Sequence, residues 1–241
     1  VNQNPASRYV VVAGVDGCSG GWLCVRARVS TLEGRLALQD AVVLPDFAAL
    51  LRQTGDCAAV AVDIPIGLNA DGQREADAEA RRRIGPRRSS VFPAPPRPLL
   101  VESGYADANA ASKAQFGRGL QKQAFNILPK IREADAAMTP ELQERVVESH
   151  PEVCFWALGR ERHLLHAKRT REGAEERLRL LEAVYGPSAG LLAVPASAAR
   201  DDLYDACVLV WTASRVAAGT AVHLPGEAQR DKRGLRMEIV Y

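Results

Sequence analysis

The sequence predicts an α/β fold, a sheet layered with helices, and three observations carry that prediction. Residues 9–15 (YVVVAGV) and 57–62 (CAAVAV) are short, nearly continuous apolar runs, the pattern of strands buried on both faces. Residues 201–218 form an apolar-faced helix with Gly219 as its stop. The 241 residues, 47% apolar and 25% charged, suit a single globular domain with a sizeable core and exclude a disordered chain.

The elements follow in order. The first run ends in Asp16-Gly17, Gly17, Gly20 and Gly21 punctuate a tight turn, and 22–29 alternates as a second strand. Residues 31–35 read as a hairpin turn leading to a third strand over 36–44. Asp46 can cap a short helix over 47–52, and the run 57–62 returns as a fourth strand, parallel to the first across that helix. From about 68 to 144 the chain reads as a mostly helical insertion, with helices over 73–84 and 123–138 around a proline-rich stretch. Neither end of it shows a flexible linker, so one domain is expected over 1–241. Residues 145–148 are a short fifth strand, Pro151 suits the first position of a following helix, and 170–185 is a charged helix.

Composition excludes more than it assigns. A net charge of +2 announces neither a nucleic-acid nor a membrane partner. The five cysteines are odd in number and contain no C-x-x-C, which argues against a disulfide framework or a structural zinc site. Residues 1–5 lack the basic and apolar regions of a signal peptide, and 203–218 carries Asp205 and Arg215 and is short for a bilayer. A cytoplasmic protein without a membrane partner is expected, with its oligomeric state, a homo-oligomer included, left open.

The acids carry the chemistry. Asp16 and Asp63 each end a buried-looking strand, the edge where α/β sheets bind ligands. Each alone can be a turn-former or cap; together they repel unless a proton or cation lies between them. Asp202 and Asp205 share a helix face at i and i+3. Capping and the helix dipole account for Asp201 and Asp202. They account poorly for Asp205, which lies above Val208, Leu209 and Thr212 on the inward face and needs a partner. Glu148 ends the fifth strand as the other acids end theirs, and Glu152 reads as a first-turn acid. His150 is either a loop residue or a substrate ligand.

The motifs Gly14-Val-Asp16-Gly-Cys-Ser-Gly-Gly-Trp22, Asp63-Ile-Pro-Ile-Gly-Leu68, Ser89-Ser-Val-Phe-Pro-Ala-Pro95, Pro129-Lys-Ile131, Glu148-Ser-His-Pro-Glu152 and Asp202-Leu-Tyr-Asp205 span nearly the whole chain, as far as Gly234-Leu-Arg-Met-Glu-Ile-Val-Tyr241. Together they resemble a bacterial family of unknown function described as predicted RNase H-like nucleases. The resemblance implies an RNase H-like mixed five-stranded sheet with helices on both faces. It places one acid on the first strand, one on the adjacent fourth and one or two on a C-terminal helix, with a resolvase-like i, i+3 pair. By that resemblance Asp16, Asp63, Asp202 and Asp205 are the metal set, with Asp63 where resolvases have a glutamate; Glu148 departs from the resolvase pattern.

A two-metal phosphodiester hydrolysis suits such a set, because Mg²⁺ and Mn²⁺ favour carboxylates and water. Asp16 is expected to bridge, flanked by Asp63 and Asp205, with Asp202 peripheral. A nucleic-acid substrate also needs cations for its backbone. One basic cluster holds Arg81, Arg82, Arg83, Arg87 and Arg88 before Ser89; another holds Lys168, Arg169, Arg171, Arg177 and Arg179, which mixed charge equally explains as a solvated face. Arg87, Ser89 and Lys130, within or beside the motifs, are candidate substrate ligands with His150 and Lys168.

Other readings are weaker. Gly17-Cys-Ser19-Gly-Gly21 matches a nucleophile elbow formally, but a strand rather than a helix follows it. His150-Pro-Glu152 lacks the cysteine half of a zinc deaminase. The Asp16–Gly21 loop also resembles the phosphate loop of actin-like kinases and ATPases, which duplicate their fold. A non-catalytic RNase H-like binding protein is a third alternative, its free surface then being the proline-rich segment 92–98.

Overall fold

The computed structural model describes residues 8–187 and 192–241, so residues 1–5, read above for a leader, lie outside the described residues. At its centre are β1 Tyr9–Cys18, β2 Gly21–Ser30, β3 Leu36–Leu44, β4 Ala59–Val62 and β5 Val146–Glu148, in the order β3-β2-β1-β4-β5. The first three pair antiparallel, whereas β4 runs parallel to β1 and β5 parallel to β4. This is the mixed five-stranded sheet that the motifs imply.

Helices cover both faces. α1 Phe47–Gln53, α3 Tyr105–Phe116, α4 Lys122–Asn126 and α5 Leu128–Ala137 bury Phe47, Leu50, Leu128 and Ile131 with Ala13, Val15, Val60 and Val62. On the other face α2 Glu75–Arg83, α6 Pro151–Leu158, α7 Arg171–Tyr185 and α8 Arg200–Ala217 join Val12, Leu23, Ala59, Ala61 and Val147. The period of two along each strand thus sorts successive side chains into two cores. Asp46 caps α1 as its spacing predicts, its carboxylate accepting from Ala49 N at 2.7 Å. Helix α8 lies on β1 at backbone contact, because Gly14 presents no side chain to it.

Several local expectations change. β1 runs to Cys18 because its pairing with β2 continues through Asp16↔Leu23, Gly17↔Trp22 and Cys18↔Gly21, beyond the end of β4. The helix expected over 123–138 is two, α4 and α5, since Pro129 lacks an N–H and its ring crowds the carbonyl of Phe125 four residues back. Helix α3 arises from an Ala-rich run without apolar periodicity. The C-terminal region adds a two-stranded sheet, β6 His223–Leu224 with β7 Ile239–Val240. The proline-rich segment is packed at its middle, where Ala94, Pro95 and Pro96 are buried and Ala94 N donates to Asp77 Oδ2 at 2.8 Å, while Phe92 and Pro98 are exposed. Among the described residues no helix is long and apolar enough to cross a membrane.

Candidate active site

The sheet register determines where the acids point. Val15, Val62 and Glu148 stand in one row across β1, β4 and β5. Asp16 and Asp63 come one residue later and therefore share the α8-facing parity of Gly14 and Ala61. A hydrogen bond from Asp63 N to Val15 O at 2.9 Å carries the pairing one step past β4. Helix α8 supplies Asp205 from above, buried at 4% exposure, while Asp16 is exposed by 6%. Helix α8 opens at Ala199, two residues before the expected cap. Asp202 is the acid that reaches back, its Oδ2 accepting from Ala199 N at 2.8 Å.

Burial dominates the electrostatics of these carboxyls, and for Asp16 the charges of its neighbours come next. Burial, then the charges of Asp63 and Asp205, raise the Asp16 carboxyl well above the usual range. Burial also raises Asp63, against the opposing pull of His150, Lys168 and a hydrogen bond from Asp16. Burial pushes Asp205 up to about 6 despite Lys168, whose Nζ donates to Asp205 Oδ2 at 2.7 Å. The same ammonium lies 3.7 Å from Asp201 and acts on Asp16 and Asp63, so it is a cation common to the cluster.

All ten residues singled out from the sequence line one cavity of about 700 Å³. Their surroundings differ. Glu148 has the parity of Val62, not of Asp63, and is turned to Arg74: the guanidinium donates to both its oxygens at 2.6 Å, and Ile66 N to Oε2 at 2.6 Å. Arg74 also binds Asp77 at 2.6 Å and the carbonyl of Gly67 at 3.1 Å, so Glu148 anchors the loop that follows Asp63. His150 is the N-cap of α6; its Nδ1 accepts from Glu152 N at 3.2 Å, leaving Nε2–H for the carbonyl of Ser90 at 3.2 Å. Arg87 is committed to Glu152 at 2.9 Å and to the carbonyl of His166. Lys130 donates to the carbonyl of Gly21 at 2.6 Å and lies 4.6 Å from the Trp22 ring centre. Ser89 stands in the cavity wall, on the 3₁₀ turn Gly85–Ser90.

One site residue, Arg74, escapes the sequence reading, and Arg177 enters it only as a member of the second basic cluster. Arg74 is fully buried, and no periodic pattern marks it. Arg177 does leave a signal: Gly173, Arg177 and Leu181, spaced by four, are the buried stripe of α7, so an arginine stands on an apolar face. It pairs with Glu152 at 2.7 Å. The second basic cluster is thereby divided, since Arg171 and Arg179 pair with Glu175 on the exposed face.

The donor chemistry fits a hard divalent cation, for which clustered carboxylates are the preferred protein ligands. Among the described residues no group of three or more Asp, Glu, His or Cys side chains is placed so that it could hold a metal ion as the side chains stand. The cation that Asp205 holds is the ammonium of Lys168.

A model of the family described as a protein of unknown function (DUF429) matches residues 14–230. No curated protein matches the sequence. Among solved structures, a Thermus thermophilus RuvC structure is similar with 15% identity and a TM-score of 0.40, over 87% of this chain and 97% of that chain. T. thermophilus RuvC in complex with a Holliday junction substrate is similar with 15% identity and a TM-score of 0.41, over 88% and 97%.

Proposed function

The chain belongs to this family of proteins of unknown function, and from its acidic cavity we propose that it is a metal-dependent nuclease hydrolysing phosphodiester bonds. One observation carries the reading: Asp16, Asp63 and Asp205, from three separate elements, line one cavity, where burial raises all three carboxyls and Asp63 and Asp205 raise Asp16 further. Such a cluster costs the fold desolvation and repulsion, which a bound cation offsets. Asp16, Asp63 and Asp205 would hold Mg²⁺ or Mn²⁺, with Asp202 at the margin. When bound, a pair of such ions activates the attacking water and stabilises the leaving oxygen.

The chain's own residues prepare the rest. Arg87 holds the carbonyl of His166 and thereby the segment that delivers Lys168 to the cavity. Lys168 offers a positive charge to the phosphate beside the acids. The His150 hydrogen bond to Ser90 ties the start of α6 to the turn carrying Ser89, which keeps that wall of the cavity in place. The arginine-held Glu148 keeps residues 64–67, and with them Asp63, in register with β1. The substrate in this reading is a nucleic acid, DNA or RNA.

Mn²⁺ titration calorimetry, with cleavage assays on single-stranded, duplex and branched DNA and RNA, tests the proposal. Asp16→Asn and Asp205→Asn are expected to remain folded, lose Mn²⁺ affinity and lose cleavage. Unchanged metal binding in both variants would remove the basis of the reading.

A further inference from the structure

The acidic cavity shares a wall with a second cavity of about 580 Å³: Lys168, Arg169, Arg177 and Asp202 line both. Its cations are Lys168, Arg169, Arg171, Arg177 and Arg200. Three are already paired within the fold: Lys168 with Asp205, Arg171 with Glu175 and Arg177 with Glu152. Arg169 and Arg200 are exposed and have no hydrogen-bond or ion-pair partner among the described residues. The nearby acids are occupied, Asp201 by Lys168 at 3.7 Å and Asp202 by Ala199 N at 2.8 Å.

Two further features favour an anion there. The first turns of α7 and α8, helices of 15 and 18 residues, both contribute to the wall, and their leading N–H groups carry partial positive charge. Arg177, only 1% exposed, lines both cavities, its Nε–H enclosed and without a hydrogen-bond partner among the described residues. Arg87 and Arg177 share the one carboxylate of Glu152, so the trio carries a net positive charge beside the cavity.

We propose that this second cavity is a subsite for a second phosphate of the substrate, one carried by the same molecule whose scissile phosphodiester lies at the acids. The preferred substrate is then a nucleotide strand or a terminally phosphorylated nucleotide, not an isolated phosphodiester. Only the location of the scissile group rests on the nuclease reading; the anion subsite stands on its own residues.

Binding is measured by calorimetry at low salt without divalent ions, using dTpdT, 5′-phosphorylated pdTpdT and the trinucleotide dTpdTpdT. The proteins are the wild type, Arg169→Ala/Arg200→Ala, Asp16→Asn, and Arg28→Ala as an exposed arginine outside both cavities. An exposed charge contact is worth about threefold, at ~0.7 kcal/mol, so two together give about tenfold. A second phosphate is expected to tighten wild-type binding about tenfold, with the gain kept in Asp16→Asn and Arg28→Ala. The double arginine variant, matched to wild type by circular dichroism, is expected to lose it. A gain with pdTpdT alone identifies a terminal phosphate, and a gain with dTpdTpdT an internal one. No gain in wild type, or a gain surviving in the double variant, overturns the proposal. A gain present in a protein that cleaves nothing with Mn²⁺ would refute the nuclease reading and leave the subsite standing.

Discussion

Replacing Gly14 by alanine tests how the acidic site is assembled. A methyl group built at Gly14 lies 2.2 Å from the carbonyl oxygen of Ala206, 2.3 Å from Val210 N and 2.7 Å from the carbonyl carbon of Leu209. Favourable contacts to carbon begin near ~3.5 Å, so α8 must move outward by roughly 1 Å. All three atoms belong to the helix backbone, and no side chain can rotate to make room. Overpacking a core costs about 1–3 kcal/mol, and a clash with rigid backbone belongs at the upper end, about 3 kcal/mol. In a domain of this size that lowers Tm by roughly 6–12 °C. Asp205 is the residue before Ala206, and Asp16 follows Gly14 by two on the same strand face, so the displacement also separates the two carboxyls. Thermal denaturation followed by circular dichroism, with Mn²⁺ calorimetry on the same protein, measures both effects. Gly226→Ala, where an added methyl group meets open space, is the control and is expected to stay within ~2 °C of wild type. A Gly14→Ala protein that also melts within ~2 °C of wild type and binds Mn²⁺ unchanged would refute the close approach of α8 to β1.

Three further outcomes follow from the same geometry. Because the folded carboxyl of Asp205 is raised to about 6, the folded chain holds more protons than the unfolded one; without divalent ions its contribution is complete near ~pH 4 and lost as pH rises through 6. The loss, up to about 3 kcal/mol, is read by urea denaturation as the difference between wild type and Asp205→Asn, and saturating Mn²⁺ is expected to flatten it. Arg74→Met strands Glu148 and Asp77 as buried acids and is expected to cost about 3–5 kcal/mol in urea denaturation; a loss under ~1 kcal/mol would show that the ion network is not structural. Lys168→Met removes the ammonium held by Asp205, so Mn²⁺ affinity is expected to rise in calorimetry; a fall would mean that the lysine assists the ion instead of competing with it.

Much of this site is legible in single residues and their spacing. Two apolar runs ending in aspartate, and an aspartate placed on the inward face of an apolar helix, identify Asp16, Asp63 and Asp205 as acids needing partners, and the structure gathers them. Glu148 shows where this reasoning stops. By sequence it ends its strand as the aspartates end theirs, yet its row mate is Val62, one residue short of Asp63. A shift of one residue exchanges the faces of a sheet, and no feature of Val146-Val-Glu148 reveals its register against a strand some 85 residues earlier in the chain. Arg87 is a similar case: its sequence position beside a motif suggests a free phosphate ligand, whereas Glu152 and the carbonyl of His166 engage its guanidinium.

The sequence by itself determined the layered α/β class, the strand and helix order that leads to a mixed sheet, and the acids that burial would make costly. Those properties depend on local periodicity and on the chemistry of individual side chains. Tertiary structure alone decided which acids share a space, which are neutralised by Arg74 or Lys168, and that a basic cavity adjoins the acidic one. Register, the contact of α8 with Gly14 and the reach of side chains from distant loops are relations between segments far apart in the chain. Packing and electrostatics select among those relations only when the whole core has formed.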